Sequence, residues 1–151
     1  MSWLLLWVAS AWSAHRTGLV SVQGAEVQLQ QPDGRLRHVA PGGAGAVMEH
    51  LDGCIVEVRG PSFLRRQWVR SYKVLDAGDG APPYVGVLRR YGGNWVVDDQ
   101  NSGRTVILDP DQGLALAPYD GRLVLLQGVV VGAQTLRVIS VRSLEDLGPE
   151  R

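Results

Sequence analysis

An internal repeat limits what this chain can fold into more than any other feature of its sequence. The chain matches itself at a spacing of about 68 residues, so that residues 18–20 (GLV) correspond to residues 86–88 (GVL). Further matched pairs follow in the same order along the chain: 31–35 with 100–104, Pro41 with Pro110, 51–53 with 119–121, and the alternating series 69–75 with 138–144. Because the matched segments occur in the same order in both halves of the chain, the repeat predicts two structural units of the same kind.

Each unit consists of short apolar stretches separated by turn-forming residues. The 19 glycines and 8 prolines, with abundant valine and leucine, favour short strands and tight turns over long helices. In the second unit, alternation of apolar and polar residues predicts five strands, at 84–90, 94–98, 104–109, 122–131 and 135–142. A short helix or loop is predicted at 113–118, between the third and the fourth strand.

Five short strands with a connector between the third and fourth is the order of the OB fold. The segment NWVVDD at 94–99, the Ser102-Gly103 turn, TVIL at 105–108 and YDG at 119–121 resemble small bacterial OB-fold domains. The resemblance implies an all-β chain of two tandem five-stranded Greek-key barrels, each with a short helix or loop between strands 3 and 4. It rests on turn and core residues, so it implies a fold and no ligand. The alternative is chance similarity between two β-meanders.

A turn-rich segment at 76–83 (DAGDGAPP) has no apolar periodicity and is predicted to link the units. The units are therefore expected at 15–75 and 84–144, followed by a flexible charged tail at 145–151. The chain has no net charge, but residues 15–75 carry about +3 and residues 76–151 about −3. This imbalance either favours docking of one barrel on another or has arisen by drift.

The first fourteen residues, MSWLLLWVASAWSA, predict a signal peptide. They carry no charge, contain a short apolar run and end in small residues that permit cleavage, although no Lys or Arg precedes the run. This pattern predicts a secreted or periplasmic protein. The alternative, a buried first strand or a misassigned start, leaves the protein cytoplasmic. The run is too short to cross a bilayer as a helix, so no transmembrane anchor is expected.

The segment joining the last two strands of the first unit is the candidate ligand-binding surface. In OB folds this loop is one of two that grip extended ligands. Here it combines aromatic side chains, which stack on bases or sugars, with cations that contact phosphate: Phe63, Arg65, Arg66, Trp68, Arg70, Tyr72 and Lys73. The alternative is that Trp68 and Tyr72 share a strand face in the core while the arginines are solvated. The corresponding loop of the second unit, 129–134, has neither charge nor aromatic residue.

No catalytic residue, metal ligand or cofactor site is predicted. The three histidines and Cys54 lack ligand spacing, and the lone cysteine permits no internal disulfide. The acidic segment 98–103 matches a calcium-binding loop poorly, and its residues are those of an ordinary turn between strands. Cys54 aligns with Arg122, which predicts a partly exposed position.

The sequence therefore predicts a non-enzymatic, exported binding or interaction module. Its partner would be a protein, a glycan or an anionic surface. The first alternative is a cytoplasmic protein that binds single-stranded nucleic acid through the same hairpin, with an affinity that falls steeply with salt. A further alternative is an enzyme, although the sequence offers no matched acid–base or nucleophile set.

Overall fold

The computed structural model describes residues 15–109 and 115–145. The predicted signal peptide at 1–14 and residues 146–151 of the predicted tail lie outside these ranges. Strands make up 53% of the described residues and helix 9%, which confirms the all-β class. The chain divides into two compact units between Ala81 and Pro82. Within the described ranges, no helix is long and apolar enough to cross a membrane.

Unit 1 is a seven-stranded sheet with one 3-10 helix, Gly43–His50, between its third and fourth strands. The strands are β1 (His15–Gln23), β2 (Glu26–Gln30), β3 (Leu36–Val39), β4 (Ile55–Arg59), β5 (Ser62–Phe63), β6 (Arg66–Gln67) and β7 (Ser71–Asp76). Their order is β5-β6-β3-β2-β1-β4-β7. All neighbours pair antiparallel except β3 and β6, which run parallel with His38 opposite Arg66.

The sheet of unit 1 differs from the predicted five strands at its C-terminal end. Of the predicted alternating series 69–75, only the residues from 71 onward lie in a strand, β7, and the predicted loop before it contains a short hairpin of β5 and β6. The buried residues of this unit come from alternate positions of the strands and from the segment around the 3-10 helix. They include Val20, Leu29, Val56, Val58, Val74, Met48 and Leu51.

Cys54 corrects one expectation from the repeat. Its alignment with Arg122 predicts partial exposure, but the side chain is fully buried. The residue directly follows the turn that precedes β4, and its backbone bonds tie it to Leu51 and Val20. This position therefore belongs to the core in unit 1, whereas Arg122 in unit 2 is half-buried.

Unit 2 is a closed barrel in the order β10-β12-β11-β8-β9. Its strands are β8 (Tyr84–Tyr91), β9 (Asn94–Asp98), β10 (Thr105–Leu108), β11 (Leu123–Val130) and β12 (Thr135–Ser143), with a 3-10 helix at Ala117–Tyr119. All five predicted strands are present, with ends within one residue of the prediction. The parallel pairing of β10 with β12 closes the barrel. The enclosed core consists of Leu88, Val97, Leu108, Leu116, Val124, Leu126, Leu136 and Val138.

Two glycines matched by the repeat occupy the same position in the two units. Gly18 lies on β1 and Gly86 on β8, each close to a carbonyl of the next strand along the chain. A Cβ at Gly18 would lie 2.6 Å from the Gln30 carbonyl oxygen, and one at Gly86 would lie 2.0 Å from that of Asp98. Close backbone approach therefore requires glycine at both sites.

Candidate functional site

The β5–β6 hairpin of unit 1 contains the first part of the predicted ligand loop. Phe63 pairs with Arg66, so Leu64 and Arg65 form a two-residue turn. Both turn residues have positive φ, 48° and 65°. Two positive φ values are typical of a type I′ hairpin turn, for which Asn-Gly, Asp-Gly or Gly-Gly are the preferred residues.

The turn between β8 and β9 has the same backbone conformation, but it consists of two glycines, which this conformation favours. Tyr91 pairs with Asn94, and the intervening Gly92 and Gly93 have φ values of 60° and 85°. An L-residue with a large side chain costs roughly 1–2 kcal/mol in this conformation, because Cβ crowds the following carbonyl. The Leu64-Arg65 turn is therefore strained.

Packing does not account for this strain. Leu64 is 82% exposed and Phe63 68% exposed, so two large apolar side chains project into solvent. Both adjoining arginines, Arg65 and Arg66, are exposed as well. Strained residues that persist without a packing reason occur mainly at sites that bind or switch. The tip of the hairpin, defined as residues 63–66, is thus the leading candidate for a contact surface.

The base of the hairpin is held firmly against β3. The amide N–H of His38 donates to the Arg65 carbonyl at 2.8 Å, and that of Ala40 donates to the Gln67 carbonyl at 2.8 Å. The Gln67 side chain is fully buried, and its Nε2 donates to the Gly60 carbonyl at 3.1 Å and the Trp68 carbonyl at 2.8 Å. This anchoring presents the tip on a rigid support.

The other predicted site residues lie away from the tip. Trp68 and Arg70 fall in the break between β6 and β7, and Trp68 is 40% exposed, so it does not share a core face with Tyr72. Tyr72 is half-buried on β7, and burial raises the pKa of its hydroxyl. Lys73 is exposed and borders a small cleft with Glu57. The structure brings Phe63, Arg65 and Arg66 together at one hairpin turn, whereas Trp68 and Arg70 follow the base of the hairpin and Tyr72 and Lys73 lie on β7.

A group of arginines beside the tip was missed in the sequence. Arg35 and Arg37, at the start of β3, line a cleft of about 490 Å³ with Arg65 of the hairpin. Arg16 of β1 is close enough that Arg37 and Arg35 contribute, after burial, to lowering the pKa of its guanidinium. The alternating arginines at 35 and 37 were visible, but only the parallel pairing of β3 with β6 adds Arg65 to them.

The β8–β9 hairpin of unit 2 holds a second group that sequence reasoning missed. The guanidinium of Arg90 lies over the Trp95 ring, 4.4 Å from its centroid, and that of Arg89 lies 5.7 Å from the Tyr91 centroid. Arg89 also donates to both carboxylate oxygens of Asp98, at 2.9 and 3.1 Å. This pairing lowers the pKa of the Asp98 carboxyl. The signal was the interleaved RRYGGNW segment.

The acidic turn after β9 uses its carboxylate to organise the backbone. Asp99 is nearly buried, and its oxygens accept from the amides of Val85 at 3.0 Å and Ser102 at 3.1 Å and from the Ser102 hydroxyl at 2.7 Å. The Oδ1 of Asp99 also accepts from the Asn101 amide at 3.3 Å, which is the bond of an Asx turn, while the bond from Val85 ties this turn to β8. Across the described part of the chain, no three His, Cys, Asp or Glu side chains converge as metal ligands would.

Neither of two comparisons with known proteins identified a relative. No protein-family model matches the chain, and no curated protein matches it significantly.

Proposed function

We propose that this protein is an exported, non-enzymatic binding module of two OB-like barrels that contacts an anionic surface through the hairpin tip of unit 1. The observation that carries the proposal is the exposed, strained turn in which Phe63 and Leu64 adjoin Arg65 and Arg66. Apolar side chains of this size can enter an interface, while neighbouring arginines contact anionic groups at its surface.

The OB-like interpretation of both units is supported by their matching strand pairs. In unit 2, β8 pairs with β9 and β11, β9 pairs with β10, and β10 runs parallel to β12. In unit 1, β1 pairs with β2 and β4, β2 pairs with β3, and β3 runs parallel to β6. We interpret β6 and β7 as an interrupted counterpart of β12. On this interpretation β5 is an insertion in the loop that binds ligands in OB folds.

The test is co-sedimentation with vesicles of phosphatidylcholine alone and of phosphatidylcholine mixed with phosphatidylglycerol. We expect binding to the anionic vesicles that weakens with salt. The double variant Phe63→Ser with Leu64→Ser should lose it. The matched control is Val129→Ser with Val130→Ser in unit 2, which removes side chains that are 55% and 57% exposed. Absence of binding by the unaltered chain, or equal loss in the control, would contradict the proposal.

Export is a separate part of the proposal with its own test. The mass of the intact protein from its native host should correspond to a chain cleaved near residues 11–14. A mature chain that still begins at Met1 or Ser2 would overturn export and favour the cytoplasmic alternative.

That alternative, binding of single-stranded nucleic acid, is predicted from the sequence for the hairpin of unit 1, but the observation that favours it is the pairing of Arg90 with Trp95 in unit 2. An arginine beside an aromatic ring offers a stacking surface for a base and a contact for phosphate. Anisotropy of a labelled thymidine oligonucleotide at two salt concentrations tests it. Salt-sensitive binding that is weakened by Arg90→Gln would support this function, and no binding at low salt would exclude it.

A further inference from the structure

We propose that unit 1 contains a discrete site for a doubly charged phosphate group, lined by Arg35, Arg37 and Arg65 with Arg16 as a fourth neighbouring cation. The site goes beyond the proposed contact of the hairpin tip, because it does not require Phe63 or Leu64. Its ligand is free phosphate or a phosphomonoester, which share the same dianionic group.

The strands bring these arginines together from distant parts of the sequence. Arg37 lies on β3 and Arg35 directly precedes that strand, and both line the same cleft. The bond from the His38 amide to the Arg65 carbonyl sets the hairpin beside β3 and completes the wall of the 490 Å³ cleft. The volume of the cleft is large enough for a small oxyanion.

Arg16 approaches the group from β1. Its Nη2 donates to the Ser62 hydroxyl at 3.1 Å, at the base of the hairpin. Its Nε is buried, and no acceptor for it is present in residues 15–109 and 115–145. A buried donor without an acceptor is costly, and an oxygen of a bound anion would relieve that cost.

The balance of charge selects the class of ligand. In the part of the chain that the structure describes, one carboxylate pairs with this group of four guanidinium groups: an oxygen of Asp33 lies 3.5 Å from the Arg35 Nε. The Arg37 Nε donates to the neutral Gln31 side chain at 3.2 Å. Among the described residues, neither Arg37 nor Arg65 has a carboxylate within ion-pair distance. A dianion offsets this excess better than a monoanion, and guanidinium groups bind phosphate oxygens in bidentate fashion.

The experiment is calorimetric titration of the full chain with inorganic phosphate, glycerol phosphate and acetate at matched ionic strength. We expect saturable binding of one phosphate or glycerol phosphate per chain, and no comparable binding of acetate. Arg37→Gln and, separately, Arg65→Gln should each weaken binding about tenfold or more, the loss of one charge-assisted bond. Circular dichroism verifies that each variant is folded, and two sites of substitution keep the test valid if one variant unfolds.

The matched control is Arg104→Gln, which removes the same charge from an exposed position of unit 2. It should bind phosphate as the unaltered chain does, and so should the Phe63→Ser, Leu64→Ser double variant. Retention of phosphate binding by that double variant, with loss of vesicle binding, separates this site from the contact at the tip. Equal heats for acetate and phosphate, or an equal loss in Arg104→Gln, would overturn the proposal.

Discussion

Replacing the strained turn residues, Leu64→Asn with Arg65→Gly, should stabilise unit 1. The two side chains occupy the left-handed region, at a cost of at least about 1 kcal/mol each, so relief of both contributes about 2 kcal/mol. The added glycine costs about 0.5–1 kcal/mol through the entropy of the unfolded chain. Loss of Leu64 removes little buried surface, since its side chain is 82% exposed. The expected net gain is about 1 kcal/mol.

The assay is urea unfolding followed by circular dichroism, with thermal unfolding as a second measure. A gain of about 1 kcal/mol corresponds to a rise of roughly 4–8 °C in the Tm of a domain of this size. The reciprocal control is Gly92→Leu with Gly93→Arg in unit 2, which should destabilise that unit by at least a similar amount. The first variant should also lose binding to anionic vesicles. Unchanged or reduced stability of unit 1 would refute the argument that its turn is strained.

Three further predictions concern single positions. Gly86→Ala should destabilise unit 2 by at least about 2 kcal/mol in urea unfolding, because the added Cβ would lie 2.0 Å from a carbonyl oxygen. The control is Gly132→Ala, whose Cβ would have its nearest contact at 3.6 Å, and an equal loss of stability in both variants would contradict this reasoning. The Asp98 carboxyl should titrate in carbon-detected NMR with a pKa below the usual value near 4, and Arg89→Gln should raise that pKa. An ordinary pKa for Asp98 in the unaltered chain would refute its pairing with Arg89. Gln67→Leu should cost about 2 kcal/mol in urea unfolding by leaving two backbone carbonyls at the hairpin base without their donor, and an effect near zero would contradict that role.

The sign of the pH dependence follows from the lowered pKa of Asp98. As the pH falls below about 4, the unfolded chain takes up a proton at this carboxyl before the folded chain does. The stabilising contribution of the ion pair is therefore present above that range and is lost as the pH falls through the folded pKa. Arg89→Gln should reduce this part of the acid sensitivity.

Unit 2 could be predicted closely because its strands carry local signals. Apolar alternation in β10 and β12, and glycine turns such as Gly92-Gly93, fix strand ends without long-range information. Unit 1 departs from the prediction at the β5–β6 hairpin, where the sequence has no typical turn residues. Its turn consists of Leu64 and Arg65, so nothing in the sequence indicates this short hairpin within the predicted ligand loop.

The candidate site was only partly predictable for a related reason. The composition of segment 63–73 predicts a ligand loop, yet the segment contains both the tip and the start of β7, which leads away from it. The arginine cleft depends on the parallel pairing of β3 with β6, which joins Arg37 to Arg65 across a long stretch of sequence. Cys54 was misjudged because alignment of repeats transfers position in the chain but not burial.

We propose that the tip at residues 63–66 is the surface through which this protein contacts anionic membranes. Proton–nitrogen NMR of the full chain with anionic bicelles that contain a paramagnetic lipid locates the contact residue by residue. We expect the strongest signal loss at Phe63, Leu64, Arg65 and Arg66, and no comparable loss at the exposed apolar residues Val129 and Val130 of unit 2. Signal loss centred on unit 2, or none at the tip, would contradict it.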